Sequence, residues 1–290
     1  MKKLLKYLIA IVGIAFALYP ILRNLGELGR LSFSVGHFVG AIAVLSLSYL
    51  LLPMIWLLVG RAFGFAMTPE EAVHSWFVSS VGRYIPGKVW QFVGRASLLP
   101  YPSSLVISAM FYEHLVLMVG ASIFSFILPR FLPIQMGITI VLLLMLFAWR
   151  RVILLLARWF PRVEHYPRRM DYVLLAVGVS VMYWAISGVA AFLISRSIGW
   201  ERGFREIAFI YSFSFVASYV IPLTPAGLGI REGIITAVMG YDLSSSVFAL
   251  LTRVAIAITD LLMLILGLVV GIRGNSSEDS SEDPPSESRP

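Results

Sequence analysis

The chain contains no cysteine among its 290 residues, which excludes disulfides, thiol nucleophiles and cysteine-ligated metals. Histidine is nearly as scarce. His37, His74, His114 and His165 are scattered, without the close helical spacing that would hold a metal between two imidazoles. Charge is the third shortage: Asp, Glu, Lys and Arg make up 13% of the residues, whereas soluble domains carry about 25%. A soluble globular fold is therefore excluded. Catalytic motifs are also lacking. The sequence has no P-loop, no Gly-x-Ser-x-Gly elbow and no His-Glu-x-x-His, and Gly227-Leu228-Gly229 lacks the preceding strand of a dinucleotide fingerprint. No cofactor, no metal and no enzymatic activity are expected.

What the chain has instead is apolar length. Hydrophobic residues make up 59% of it, and the segments 38–60, 172–195 and 207–230 carry no charge at all. Each exceeds the roughly 20 residues needed to cross a ~30 Å hydrocarbon core as a helix. A transmembrane β-barrel would instead alternate apolar and polar residues in ~10-residue strands. The expected class is an all-α polytopic membrane protein. Its pI near 9.8 does not indicate nucleic acid, because the basic residues lie between the apolar segments, where they set topology.

Full spans are expected at 4–22, 38–60, 104–128, 132–150, 171–195 and 244–272. Lys2, Lys3 and Lys6, with Ala15-Phe16-Ala17, resemble a signal peptide. The apolar run continues through Leu22, so it reads as an uncleaved first span. Two further segments, 70–97 and 204–240, are apolar but broken by Pro86-Gly87 and by Pro222, Pro225, Gly227 and Gly229. Proline lacks the N–H that a helix interior requires. Non-helical backbone at membrane depth survives only where protein or a wet cavity satisfies it. Each broken segment is thus a helical hairpin or a kinked crossing held inside the bundle.

At an offset of 136 residues, Ile85, Pro86 and Arg95 match Ile221, Pro222 and Arg231, and Glu70, Ala72 and Phe77 match Glu206, Ala208 and Phe213. If both broken segments are hairpins, each half has three crossings, and the odd number makes the halves inverted repeats. The expected organisation is repeat 1 over 1–131, repeat 2 over 132–273, and a disordered acidic tail over 274–290. Basic residues divide 12 to 7 in favour of a cytoplasmic N-terminus and C-terminus, mostly through the 150–169 loop. The arginine-rich stretch 149–160 reads as an interfacial amphipathic helix.

Paired Gly/Pro breaks in two halves point to a transport site. Arg83 and Lys88 flank the first break, and together with free helix-end N–H groups they would hold a lipid phosphate. Arg95 and Arg231 are equivalent in the repeat and would guide an anionic head at opposite faces. Arg231 has Glu232 beside it as an alternative partner. Glu113, Arg253 and Asp260 interrupt apolar spans, and intramembrane charges imply a partner or a function. Glu113 is expected to pair with Arg253, and Asp260 to serve gating or proton coupling. His114 is expected to be a packing residue.

The run Gly82-Arg83-Tyr84-Ile85-Pro86-Gly87-Lys88-Val89-Trp90, with Gly94-Arg95 and Glu113 downstream, resembles the lysylphosphatidylglycerol synthase transmembrane-region family. So does Pro222-Leu223-Thr224-Pro225-Ala226-Gly227-Leu228-Gly229-Ile230-Arg231-Glu232-Gly233, followed by Arg253. The resemblance covers roughly residues 1–272. It implies a flippase-like unit of the cell membrane that moves an anionic or phosphate-bearing lipid, such as a phospholipid or polyprenyl-phosphate sugar. The soluble lysyl-transferring domain of such synthases is missing, so aminoacyl transfer is not implied. The alternatives are a non-transporting subunit that binds lipid and docks a glycosyltransferase or synthase, and an integral-membrane transferase with Glu113 or Asp260 as base.

Overall fold

The computed structural model describes residues 32–85, 89–127, 132–151, 166–220, 230–240 and 242–279. Among them the chain is all-helical, with no strand. Helices α1 (Val35–Tyr49) and α2 (Leu51–Phe63) are followed by α3 (Pro69–Ser80), a 3-10 turn at Val81–Tyr84 and α4 (Trp90–Ser97). Next come α5 (Ser103–Ser125), α6 (Leu132–Phe147), α7 (Met170–Ser197), α8 (Phe204–Val220), α9 (Ile230–Met239) and α10 (Leu243–Asp279).

Local sequence accounts for the boundaries. Leu50, between α1 and α2, keeps right-handed helical dihedrals. The two helices thus form one span, Val35–Phe63, interrupted where Pro53 cannot donate to the Tyr49 carbonyl. Gly64, at φ 91°, ends it in the left-handed conformation that glycine adopts without strain. Thr68-Pro69-Glu70-Glu71 starts α3 with a capping box: the Glu71 N–H donates to Thr68 Oγ1 and the Thr68 N–H to Glu71 Oε2.

Four helices are long and apolar enough to cross a membrane: Val35–Phe63, Ser103–Ser125, Met170–Ser197 and Leu243–Ile272. They correspond to the spans expected at 38–60, 104–128, 171–195 and 244–272. Leu132–Phe147 is apolar but shorter, at 16 residues. The segment 4–22 and most of 149–160 lie outside the described residues. One boundary needs correction: α10 continues through Asp279, so the first residues of the expected disordered tail are helical. No proline occurs before Pro284 to stop it. Leu261, Leu262, Ile265, Leu268, Val269 and Ile272 are exposed along one stripe of α10, a surface suited to hydrocarbon rather than water.

The same order occurs twice: a long helix, a folded-back helix pair, a long helix. In the first half α3 packs on α4, and α4 on α5; in the second α8 packs on α9, and α9 on α10. The two short helices of each broken segment thus pack on one another. A Cβ on Gly82 would lie 2.5 Å from the Gln91 backbone nitrogen, so the turn before the first break presses directly on the start of α4. The halves also exchange contacts, with α3 against α10, α8 against α5, and α1–α2 against α7. Small residues permit this closeness. A Cβ on Gly267 would meet Phe77 Cβ at 2.8 Å, and one on Gly120 would sit within 2.7 Å of Ser180 Cβ. The His74 ring bonds to the Gly267 carbonyl at 2.9 Å across the α3–α10 seam.

Candidate functional site

The charged residues that interrupt the apolar helices gather where the two folded-back pairs meet the long helices. In the first half Arg95, on α4, is fully buried at 0% exposure. Its Nη1 donates to Glu113 Oε2 on α5 at 2.5 Å, and its Nε to Ser79 Oγ on α3 at 3.1 Å. The guanidinium lies over Trp56 (4.7 Å to the ring centroid) and beside Trp76 (5.5 Å). Trp76 Nε1 completes the enclosure by donating to Glu113 Oε1 at 2.6 Å. Both carboxylate oxygens and the cation are thereby neutralised inside the protein. Arg95 Nη2 is buried without a hydrogen-bond partner among the described residues, and the pair persists because removing either member strands the other charge.

The second half repeats the frame with different charges. Arg231, on α9, donates from Nε to Ser214 Oγ at 3.3 Å and from Nη2 to the Tyr211 carbonyl at 3.5 Å, and its guanidinium lies 4.4 Å from the Tyr211 ring centroid. Ser79 and Ser214 are each the eleventh residue of their helix, and Trp76 and Tyr211 each the eighth. The long helices differ. Arg253 on α10 is the eleventh residue, as Glu113 is on α5, and its Nε donates to Glu232 Oε1 at 2.7 Å. Among the described residues, no carboxylate forms an ion pair with Arg231, which is half-buried.

A third group joins the halves. Asp260 on α10 accepts a 2.5 Å hydrogen bond from the Tyr84 hydroxyl at its Oδ2, and Arg83 Nη2 stands 3.7 Å from its Oδ1. Arg83 is also tied to its own turn through Nε and the Ser80 carbonyl, at 3.0 Å. Because Arg83 and Tyr84 lie in the 3-10 turn just before the first break, Asp260 anchors that break to the opposite half. His114 packs as expected, bonded to the Met110 carbonyl at 2.7 Å, stacked on Phe92 and set against Tyr219.

Two expectations are corrected. Glu113 does not pair with Arg253, because each long helix presents its charge to the helix pair of its own half: Glu113 to Arg95, Arg253 to Glu232. Arg95 is not poised to meet a lipid head, since it is enclosed on every side and already bonded to a carboxylate. Lys88, Pro86, Gly87, Pro222, Pro225, Gly227 and Gly229 lie outside the described residues. The reading of the sequence missed Trp76, Ser79, Tyr211 and Ser214. Their signal is an aromatic-x-x-Ser step in the helix before each break, which the fixed 136-residue offset concealed, because these pairs stand 135 apart.

Among the described residues, no group of three or more His, Asp or Glu could hold a metal ion. The fold and these ion pairs define an all-helical chain with membrane-length apolar helices and a charged centre. No family model, curated protein or solved structure matches it.

Proposed function

We propose that the chain is a flippase-like membrane lipid translocase of the lysylphosphatidylglycerol synthase transmembrane-region kind, built as two inverted repeats. Its substrate is an anionic or phosphate-bearing lipid, such as a phospholipid or polyprenyl-phosphate sugar, and its termini face the cytoplasm. The observation that carries this reading is Arg231. Of the four arginines at the centre, Arg95, Arg253 and Arg83 face Glu113, Glu232 and Asp260, while Arg231 is held by a hydroxyl, a carbonyl and an aromatic face. A cation at bilayer depth costs about 2.5–3.5 kcal/mol or more unless it finds a counter-charge. A ring beneath it offsets part of that cost, about 2 kcal/mol or more when desolvated, without supplying a counter-charge. Glu232 beside Arg231 acts on it electrostatically but is bonded to Arg253, and an anionic head arriving from the bilayer supplies the direct partner.

In each half the second short helix packs on a long helix of its own half, and the first packs on a long helix of the other half. A head passing between them exchanges hydrogen bonds without entering hydrocarbon. Asp260, Tyr84 and Arg83 then act as the gate across the halves, since opening the first break requires parting them.

Reconstitution in liposomes with a fluorescent phosphatidylglycerol or a labelled polyprenyl-phosphate sugar tests the reading. Leaflet exchange should exceed that of protein-free vesicles and fall to background in Arg231→Gln. Binding of these lipids without exchange would overturn translocation and favour a subunit that presents lipid to a glycosyltransferase or synthase.

A further inference from the structure

Half of this molecule contains its own answer to what the other half binds. The same frame, an aromatic residue at helix position eight, a serine at eleven and an arginine folded back onto both, is built in each half. In the first half the frame is filled by the Glu113 carboxylate, which receives one bond from the guanidinium and one from the indole of the aromatic residue. In the second half the position equivalent to Glu113 is Arg253, which turns to Glu232. Ala96 stands where Glu232 does, directly after the arginine.

We infer that a charge reversal at the eleventh position of α10 makes Arg231 and Tyr211 a single oxyanion site, for which the Arg95–Glu113–Trp76 cluster is the internal template. The site takes one anionic group with two accepting oxygens, a carboxylate or a phosphodiester. Arg231 supplies one guanidinium donor, as Arg95 does to Glu113, and the Tyr211 hydroxyl takes the part played by the Trp76 indole. The first half has no such site, because Glu113 occupies it permanently. The inference deepens the translocase reading and rests on it for the lipid source. It also says that the two halves do not contribute equally: one arginine binds and its counterpart braces.

The test rebuilds the first half's chemistry in the second. Glu232→Ala combined with Arg253→Glu reproduces the Arg95, Ala96 and Glu113 arrangement and retains one ion pair for Arg231. Thermal unfolding of the purified full chain in detergent is followed with dioctanoyl-phosphatidylglycerol, dioctanoyl-phosphatidylcholine and inorganic phosphate as probes. The wild type should be stabilised by the phosphatidylglycerol and not by the zwitterionic lipid. The double variant should unfold near the wild-type temperature without probe and lose the probe's effect. Tyr211→Phe should weaken the apparent affinity about tenfold, the cost of one charge-assisted hydrogen bond. Should the double variant fail to fold, Arg231→Gln and Tyr211→Phe carry the same test. An equal shift with inorganic phosphate supports the site but assigns it to soluble oxyanions rather than lipid. An undiminished phosphatidylglycerol effect in the folded double variant overturns the site while leaving translocation standing. No response of the wild type to either anion overturns the site, and loss of leaflet exchange in the same preparation would overturn the broader reading with it.

Discussion

Glu113→Gln removes one charge from the most enclosed ion pair in the protein. Glutamine keeps the shape and can still accept from Trp76 Nε1, but its amide turns donors toward a guanidinium that is itself only a donor. Arg95 is then a full charge with 0% exposure, stacked on Trp56 and without water to solvate it. Breaking a buried pair by removing one partner costs about 3–5 kcal/mol. At roughly 2–4 °C per kcal/mol for a large domain, the thermal midpoint should fall by about 6–20 °C in detergent. The companion variant Arg95→Met/Glu113→Met removes both charges and should recover most of that loss, because it leaves no stranded group. Arg95→Met, Glu113→Met and the double variant form a cycle whose coupling should be about 2 kcal/mol or more, as expected for residues in direct contact. Leaflet exchange by the Met/Met variant should persist, since neither residue meets the lipid head. A drop of under about 2 °C in Glu113→Gln would mean that the pair is wet and exchangeable, and the reasoning would fail there.

Other outcomes follow from the same geometry. Tyr84→Phe removes the hydroxyl that donates to the buried Asp260 carboxylate and should cost about 1.5–3 kcal/mol; Asp260→Asn, which needs no charged partner, should cost less by the same thermal assay. Gly120→Leu forces a side chain into space already filled by Ser180 and should lower folded yield sharply, whereas Gly178→Leu, with nothing within 4 Å, should express normally. In the native cysteine-free background, Glu70→Cys and Ser97→Cys should react with an impermeant maleimide from the same side of the membrane, because α3 and α4 double back. Labelling from opposite sides would make that segment a crossing.

Much of the fold was legible because hydrocarbon is a demanding solvent. Apolar segments of more than 20 residues with few charges leave few alternatives to a helix, and four such helices occur where they were expected. The prolines were informative for the same reason: they announced two interruptions, though not that α3 and α4, or α8 and α9, would pack on each other. Partner choice was the least readable part. Glu113 and Arg253 are opposite charges in long apolar helices, so pairing them is the economical guess. It fails because each faces a short helix of its own half, Glu113 meeting Arg95 and Arg253 meeting Glu232, and which way a helix faces is set by close packing such as that at Gly120, Gly188 and Gly267 as well as by charge. The repeat was visible at six matched pairs, and of the residues at the charged centre only Arg95 and Arg231 were among them. One residue of slip between the halves made Trp76–Tyr211 and Ser79–Ser214 unmatched letters, although the two pairs occupy the same steps of the same helices.

The seam of α3 against α10 sets a mechanical limit on everything above. Gly267 and Gly271 bring the α10 backbone onto the side chains of Phe77 and His74, so these two helices have no lever arm of side chain between them to flex. Prising them apart would open a void along the whole contact. Any sliding or hinging that translocation demands would therefore fall on the short helix α9, which carries Arg231, because Arg95 ties α4 to Glu113 on α5.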